Sequence, residues 1–539
     1  MIKKSNFLLL FVLIPLFLFA KHSTSDIIPK PQKFISQKGT FLLNKHSHYY
    51  SNTSLSKNAI NYLQNHLKQS AGYKLQKIDN SKKSQINFYY DLKSVKKSEA
   101  YKLLISKNSI SIKARDKAGF FYAVVSLMQL MDTDIWKISA SIDKHKNWSI
   151  PCCKIDDYPR FKWRGMMLDS SRNFFSKAYI KKFIDRMAQH KLNRFHWHLT
   201  DDEGWRIEIK RYPLLTKVGA RRGAGTKLPF SMYPAMRGKK NRVQSGYYKQ
   251  SDIREIVAYA KARSIEILPE IDIPGHAKAA IVSYPKLLQD PKDKSDYRSV
   301  QRVANNTINP GLESTYIFLD NVISEVSKLF PFGYIHLGGD EVPKGAWVKS
   351  PAVKSLMKRK GLRNRKEVQS YFFARLDKIL AKHKRKMIAW QEVIRTKNRL
   401  RTSSTFMAWK SVKDAKKIIG QHRSVIMSPV QNLYFDQQYR RGKKELGHTW
   451  STPVNTKKVY ALKPINSKYV RGVQACLWSE TLLNERIADY LAWPRALALS
   501  EVAWTEQKNR NWKNFHKRAF GKGVKRLKVQ KVYYRTLVP

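Results

Sequence analysis

The segment His336-Leu337-Gly338-Gly339-Asp340-Glu341 sets two carboxylates side by side behind two glycines. Neighbouring carboxylates can divide the work of breaking a glycosidic bond: one hands a proton to the leaving oxygen, and the other meets the positive charge that develops on the sugar. Adjacent residues of a regular strand point to opposite faces, so both can aim into one site only if the strand ends and the backbone turns there. Gly338-Gly339 permits such a turn. A surface acidic pair opening a loop is the ordinary alternative, and the position behind Gly-Gly argues against it.

Further acids, cations and aromatics recur in short clusters: Asp169-Ser170-Ser171-Arg172, Asp201-Asp202-Glu203-Gly204-Trp205-Arg206, Asp272-Ile273-Pro274-Gly275-His276, Trp390-Gln391-Glu392, Trp409, Tyr434-Phe435-Asp436 and Trp478-Ser479-Glu480. Taken singly, Asp201 or Asp202 is an ordinary helix cap, His276 a structural histidine and a lone Trp a core residue. Gathered on one rim they describe a carbohydrate site, in which carboxylates and Arg bind hydroxyls and indoles cover the apolar faces of a sugar.

The elements needed to gather them are visible in the hydrophobic pattern. Short apolar runs read as strands over Arg164 to Leu168, Arg194 to Leu199, Ile265 to Ile271, Tyr334 to Gly338, Met387 to Trp390, Thr405 to Trp409, Ser424 to Met427 and Gly472 to Leu477. Helical periodicity alternates with them, over Lys177 to His190, Asp252 to Arg263, Ser314 to Leu329, Glu367 to Lys384, Val412 to Ile419 and Arg486 to Val502. Eight β-then-α units predict an α/β fold, a closed (β/α)8 TIM barrel over 158–505, whose functional residues follow the strands' carboxyl ends. An open doubly wound sheet is the alternative, but no Gly-rich phosphate turn follows the first strand. Residues 26–157 read as a small α+β accessory domain without a chemical constellation, a structural buttress, and 506–539 as a basic carboxy-terminal segment packing on the barrel.

The chain has 539 residues, 42% hydrophobic and 12% aromatic, enough to bury a large core. Its start, a basic Met1-Ile2-Lys3-Lys4 followed by the apolar run Phe7 to Ala20, predicts a signal peptide over 1–20 and export to the periplasm or the extracellular space; the run is too short for a membrane span. Three cysteines, Cys152, Cys153 and Cys476, exclude a disulfide framework and read as free thiols, and nothing in their spacing suggests a metal site. Lys and Arg total 103 against 40 Asp and Glu, a formal net charge of +63. The cations are spread along the whole chain and no nucleic-acid-binding motif accompanies them, so the charge suits an anionic envelope or polymer surface rather than specific nucleic acid. Oligomeric state is left open.

Arg164-Gly165-Met166-Met167-Leu168-Asp169-Ser170-Ser171-Arg172, His198-Leu199-Thr200-Asp201-Asp202-Glu203-Gly204-Trp205-Arg206, the Gly-Gly-Asp-Glu segment and Leu477-Trp478-Ser479-Glu480 together resemble glycoside hydrolase family 20, the β-N-acetylhexosaminidases. Ala118-Gly119-Phe120-Phe121-Tyr122 and Leu127-Met128-Gln129-Leu130 are similar to that family's amino-terminal domain. The resemblance implies exo-acting removal of terminal β-linked GlcNAc or GalNAc from glycans or chitooligosaccharides, without cofactor or metal. It also implies a retaining mechanism in which the substrate's own acetamido oxygen attacks the anomeric carbon. By the same resemblance Glu341 is the general acid and base, Asp340 orients the acetamido group, and Tyr434 donates to the acetamido oxygen. Arg172, Asp436 and Glu480 bind hydroxyls, Trp390, Trp409 and Trp478 wall the pocket, and Asp201 and His276 are a supporting polar pair. Asn173 departs from the family pattern, standing where the family usually has His, and Gln474 stands where some members have Glu.

Overall fold

The computed structural model describes residues 25–137, 146–222, 244–394 and 400–536. The expected signal peptide lies outside them, as do residues 223–243. Among the described residues no helix is long and apolar enough to cross a membrane.

The amino-terminal unit is a mixed sheet of β1 (Lys33–Leu43), β2 (His48–Ser51), β3 (Gln76–Lys77), β4 (Ile86–Tyr90), β5 (Tyr101–Ile105), β6 (Ile110–Ala114) and β7 (Trp148–Asp157), in the order β1-β7-β5-β6-β4-β2-β3. Helices α1 (Lys57–Ala71) and α2 (Lys117–Leu130) pack on it. Pro151 lies inside β7, opposite Thr40 of β1. It is beyond the stretch of β7 that pairs with β5, so its missing N–H interrupts no bond on that side.

The second unit is the closed parallel barrel. Its strands are β8 (Trp163–Asp169), β9 (Arg194–His198), β10 (Glu266–Glu270), β11 (Tyr334–His336), β12 (Lys386–Trp390), β13 (Thr405–Ala408), β14 (Ser424–Met427) and β15 (Val470–Leu477), closing β15 on β8. Every residue of β8 is buried, the pattern of a strand covered on both faces. Met167, Leu268, Ile388, Met407, Ile426 and Cys476 fill the barrel interior with Trp163 and Trp390. The helices present apolar stripes to the outside of the strands. In α3 (Lys177–Gln189), Tyr179, Ile180, Phe183, Ile184 and Met187 are buried, and the Ser176 side chain caps the first turn by accepting from the Tyr179 amide. Further helices around the barrel include α4 (Gln250–Lys261), α5 (Glu313–Leu329), α6 (Pro351–Lys360) and α7 (Arg365–Lys382). The single helix expected from Arg486 to Val502 is two, α8 (Glu485–Ala492) and α9 (Arg495–Trp504), broken where Pro494 has no amide hydrogen to continue the ladder.

The carboxy-terminal segment, with helices at Trp512–Arg518 and Val524–Val529, lies between the barrel and the amino-terminal unit. Arg518 pairs with Glu501 of α9 at 2.7 Å and donates to the Ile27 carbonyl at 2.8 Å, while Arg526 donates to Gln129 Oε1 of α2 at 3.0 Å. All three cysteines are free and buried.

Candidate active site

The catalytic rim is made by abrupt strand endings. β11 stops at His336, and three of the next five residues have positive φ: Gly338 at 62°, Gly339 at 99° and Glu341 at 49°. A Cβ on Gly338 would lie 1.6 Å from Asp272 Oδ1, and one on Gly339 2.3 Å from Val393 Cγ2. Only glycine fits at either place. The turn brings Asp340 and Glu341 to the same histidine, with His276 Nε2 3.9 Å from Asp340 Oδ2 and 3.7 Å from Glu341 Oε2.

Behind His276 runs a buried polar chain. His276 Nδ1 is 3.1 Å from Asp201 Oδ1, His198 Nε2 is 3.0 Å from Asp201 Oδ2, and His198 Nδ1 meets Glu270. Burial works against a charged His276, but the negative charge of its hydrogen-bond partner Asp201, with Asp202 and Glu341 close by, outweighs it and holds its pKa well above the ordinary value. Burial also opposes ionisation of Asp201, yet Arg172 first and His276 second hold it well below the usual carboxylate range. Asp340 goes the other way. Burial pushes its carboxyl up to about 7, His276 opposing this and the charge of Glu341 adding to it.

Arg172 is buried among three carboxylates, at 2.6 Å from Asp201, 3.0 Å from Glu203 and 3.4 Å from Asp169, and its guanidinium lies 5.1 Å from the Trp478 ring centre. The opposite wall is aromatic. Trp409 and Tyr434 stack at 5.9 Å, Trp390 lies 5.9 Å from Trp478, and the Trp409 indole N–H donates to Glu392 at 3.1 Å. Trp390 is the deepest of these, 1% exposed, with its indole N–H donated to Glu270 at 3.0 Å, so it forms floor rather than wall. At the far end Asp436 accepts from Gln437 at 2.9 Å, and burial pushes its carboxyl up to about 7 against the nearby His448. Burial would raise Glu480 as well, but Arg172 and His448 bring it down to about 2.

The structure therefore brings all eleven candidate residues to one end of the barrel. Sequence reasoning passed over His448, 3.5 Å from Glu480, and Trp450, edge-on to Trp409 at 6.5 Å and to Tyr434 at 6.1 Å. Both lie in the uneven polar stretch after Tyr439, where no periodicity marks a position as facing inward. Asn173 takes up a positioning task, donating to the Ser479 carbonyl at 2.6 Å and accepting from Arg222 at 3.3 Å, and Gln474 accepts from Trp163 inside the barrel at 3.2 Å.

Several buried polar atoms of this end lack a hydrogen-bond partner: Asp340 Oδ1, His276 Nε2, Asp436 Oδ1, Glu480 Oε2 and His448 Nε2. Unsatisfied buried groups are costly, and their convergence on one concavity is what a pocket awaiting hydroxyl and amide groups presents. Ligand-type atoms of Asp272, His276 and Asp340 lie within 4.8 Å of one another. The surrounding carboxylates raise the pKa of His276 well above its ordinary value, so a metal there would have to displace a proton from the imidazole.

The model of glycosyl hydrolase family 20, catalytic domain, matches residues 161–507, and that of glycosyl hydrolase family 20, domain 2, matches 24–158. A β-hexosaminidase of Vibrio furnissii is 35% identical over 89% of this chain and 76% of its own length. One from Porphyromonas gingivalis is 33% identical over 95% of this chain and 65% of its own length. The crystal structure of a family 20 exo-β-N-acetylglucosaminidase of Vibrio harveyi in complex with N-acetylglucosamine superposes with a TM-score of 0.87 at 34% identity, covering 95% of this chain and 79% of that one. With both units matched in order and a barrel of the same form, the chain is a glycoside hydrolase that belongs to family 20.

Proposed function

We propose that the protein is an exo-acting β-N-acetylhexosaminidase that releases terminal, non-reducing β-linked GlcNAc or GalNAc from glycans or chitooligosaccharides with retention of configuration. The observation that carries this reading is the adjacency of Asp340 and Glu341 on one histidine. A protein nucleophile would stand across the sugar from the acid, about 5–5.5 Å away, and two neighbours in sequence on one rim are poorly placed for that division of labour. They suit a reaction whose nucleophile belongs to the substrate.

In this mechanism Glu341 gives its proton to the glycosidic oxygen as the bond to C1 breaks, and the acetamido oxygen closes on C1 to form an oxazolinium ion. Asp340 accepts the acetamido N–H and stabilises the positive charge reaching that nitrogen, while the Tyr434 hydroxyl donates to the attacking oxygen. Water then adds to C1 from the vacated side, losing its proton to Glu341, and the ring opens to the free sugar. Trp390, Trp409 and Trp478 enclose the acetamido group and ring. Arg172, Asp436 and Glu480 take the hydroxyls at the closed end, which is what makes the cleavage exo. Asp201 and His276 keep the carboxylate pair in place.

Glu341→Gln should lower turnover of the nitrophenyl N-acetyl-β-glucosaminide by at least about 100-fold, the usual loss for a general acid-base group. A near-normal rate would overturn the assignment. The wild type should leave the nitrophenyl β-glucoside, which lacks the acetamido group, untouched; efficient cleavage of it would show that the nucleophile is not the substrate's. Export through residues 1–20 to the periplasm or outside the cell belongs to the same reading, supported by the basic and apolar pattern of that segment. The +63 charge supports retention at an anionic envelope or polymer.

A further inference from the structure

Beside Glu341 lies a cavity of about 80 Å³, lined by Glu341, Arg365, Lys366, Gln369, Glu392 and Lys410 among others and by none of Arg172, Asp436, Trp478 and Glu480. Its charge differs in kind from that of the terminal-sugar pocket. That pocket holds the carboxylates Asp340, Asp436 and Glu480, and Arg172 beside them is matched by Asp169, Asp201 and Glu203. An anionic group on the terminal sugar would meet like charge there.

The flanking cavity has three cations. Lys410 pairs with Glu392 at 2.8 Å, Arg365 donates to the Val342 carbonyl at 3.0 Å, and Lys366 is exposed and makes no ion pair among the described residues. Resting on the reading of Glu341 as the acid, the reacting enzyme carries a neutral Glu341 carboxyl, which leaves Glu392 as the lining's lone carboxylate against those three cations. The bridging oxygen of the substrate must lie at Glu341, so the group it departs with lies on one side of that residue and the terminal sugar on the other. The closed end formed by Asp436 and Glu480 assigns the terminal sugar, and the cationic cavity is left to the leaving group.

We propose that this cavity receives the leaving-group sugar and selects one that carries a carboxylate close to the bridging oxygen. Two kinds of sugar offer that chemistry: one bearing a carboxylate on an ether substituent, as N-acetylmuramic acid does, and a hexuronic acid. Placing a carboxylate beside Lys366 replaces the negative charge lost when the acid is protonated, and the gain is an electrostatic one that salt screens.

The test compares each acid with its own methyl ester, which keeps shape and removes charge: β-GlcNAc linked to N-acetylmuramic acid, β-GlcNAc linked to a hexuronic acid, and the ester of each. At low ionic strength kcat/KM for at least one acid should exceed that for its ester by about two- to fivefold, the worth of one exposed ion pair. That ratio should shrink toward one in 0.5 M salt, and the pair showing the larger ratio identifies the carboxylate's source. Lys366→Gln should reduce the ratio and Lys366→Glu should invert it, with the nitrophenyl N-acetyl-β-glucosaminide as the neutral control. Ratios of one for both pairs, or ratios unmoved by Lys366→Glu while the nitrophenyl substrate is still cleaved, would overturn this inference and leave the proposed function standing. No turnover of the nitrophenyl substrate by folded wild type would overturn both.

Discussion

Asp340 carries a cost that the proposed chemistry explains. Its ordinary pKa is 3.8, and in the folded protein burial first, and the charge of Glu341 after it, pushes the group up to about 7 despite His276. Between about pH 4 and 7 the folded state therefore holds a proton that the unfolded chain has released. The contribution of this group to stability is complete below about pH 4 and is lost as the pH rises through about 7. Above that, an ionised and under-solvated carboxylate remains, which is the form that can accept an acetamido N–H acquiring positive charge. Asp340→Asn removes the titration. We expect its melting temperature relative to wild type to be higher at pH 8 than at pH 5, by roughly 1–3 °C, together with a large loss of activity on 2-acetamido substrates. Melting curves that run parallel across that range would contradict the environment described for Asp340. A gain in stability paired with a loss of turnover is the expected mark of a residue kept for function.

The turn after β11 shows how an element positions chemistry. Gly338 and Gly339 lie in conformations that L side chains rarely adopt, and Asp272 fills the space a Cβ at 338 would need. Gly338→Ala must displace Asp272 or unwind the turn, and either moves the carboxylate pair away from His276. We expect it to cost at least about 1–3 kcal/mol in thermal or denaturant unfolding and to abolish most activity in the fraction that remains folded. A variant with wild-type melting and turnover would show that the turn is not what aims the pair. This turn was legible in the sequence, because a strand pattern ending in Gly-Gly before two acids has few other uses. The eight barrel strands were legible too, their apolar runs differing from the observed spans by at most two residues at either end. The break between α8 and α9 was in view at Pro494, but the apolar stripe continues across it and periodicity outweighed the proline. Strand β1 went unread because most of its residues are exposed, which leaves no apolar alternation to detect. His448 and Trp450 were hidden for the same reason: their inward direction comes from the path of a loop, here the His448 amide donating to the Asp436 carbonyl at 2.6 Å, and not from any repeat.

At the scale of the whole molecule, the two units are joined through buried charge, which a chain so rich in Lys and Arg can supply. Arg164 of β8, fully buried, pairs with Glu99 at 2.6 Å and donates to the Tyr122 hydroxyl of α2 at 2.9 Å, which gives the aromatic run of that helix a place in the junction. Beside it, Asp157 at the end of β7 accepts from Lys191 at 2.9 Å, from the Tyr101 hydroxyl at 2.8 Å and from the Trp504 indole of α9 at 2.9 Å. The Lys191 ammonium is completely buried and 4.5 Å from the Trp504 ring centre, and burial pulls its pKa below the ordinary value although Asp157 resists. A buried pair of this kind adds little over a hydrophobic replacement of both partners, but losing one partner strands the other. Asp157→Ala should therefore destabilise the protein by about 3–5 kcal/mol and leave the junction between the units as the first part to open, since donors from both units lose their acceptor at once. The double variant Asp157→Ala with Lys191→Met should recover a substantial part of that loss, because it removes the stranded charge. KM for the nitrophenyl substrate should stay near wild type in both variants, the pocket being built within the barrel alone. Unfolding monitored by denaturant titration, read with hydrogen exchange at Tyr101, Lys191 and Trp504, measures this, and a single variant as stable as wild type would show that the units are held together elsewhere.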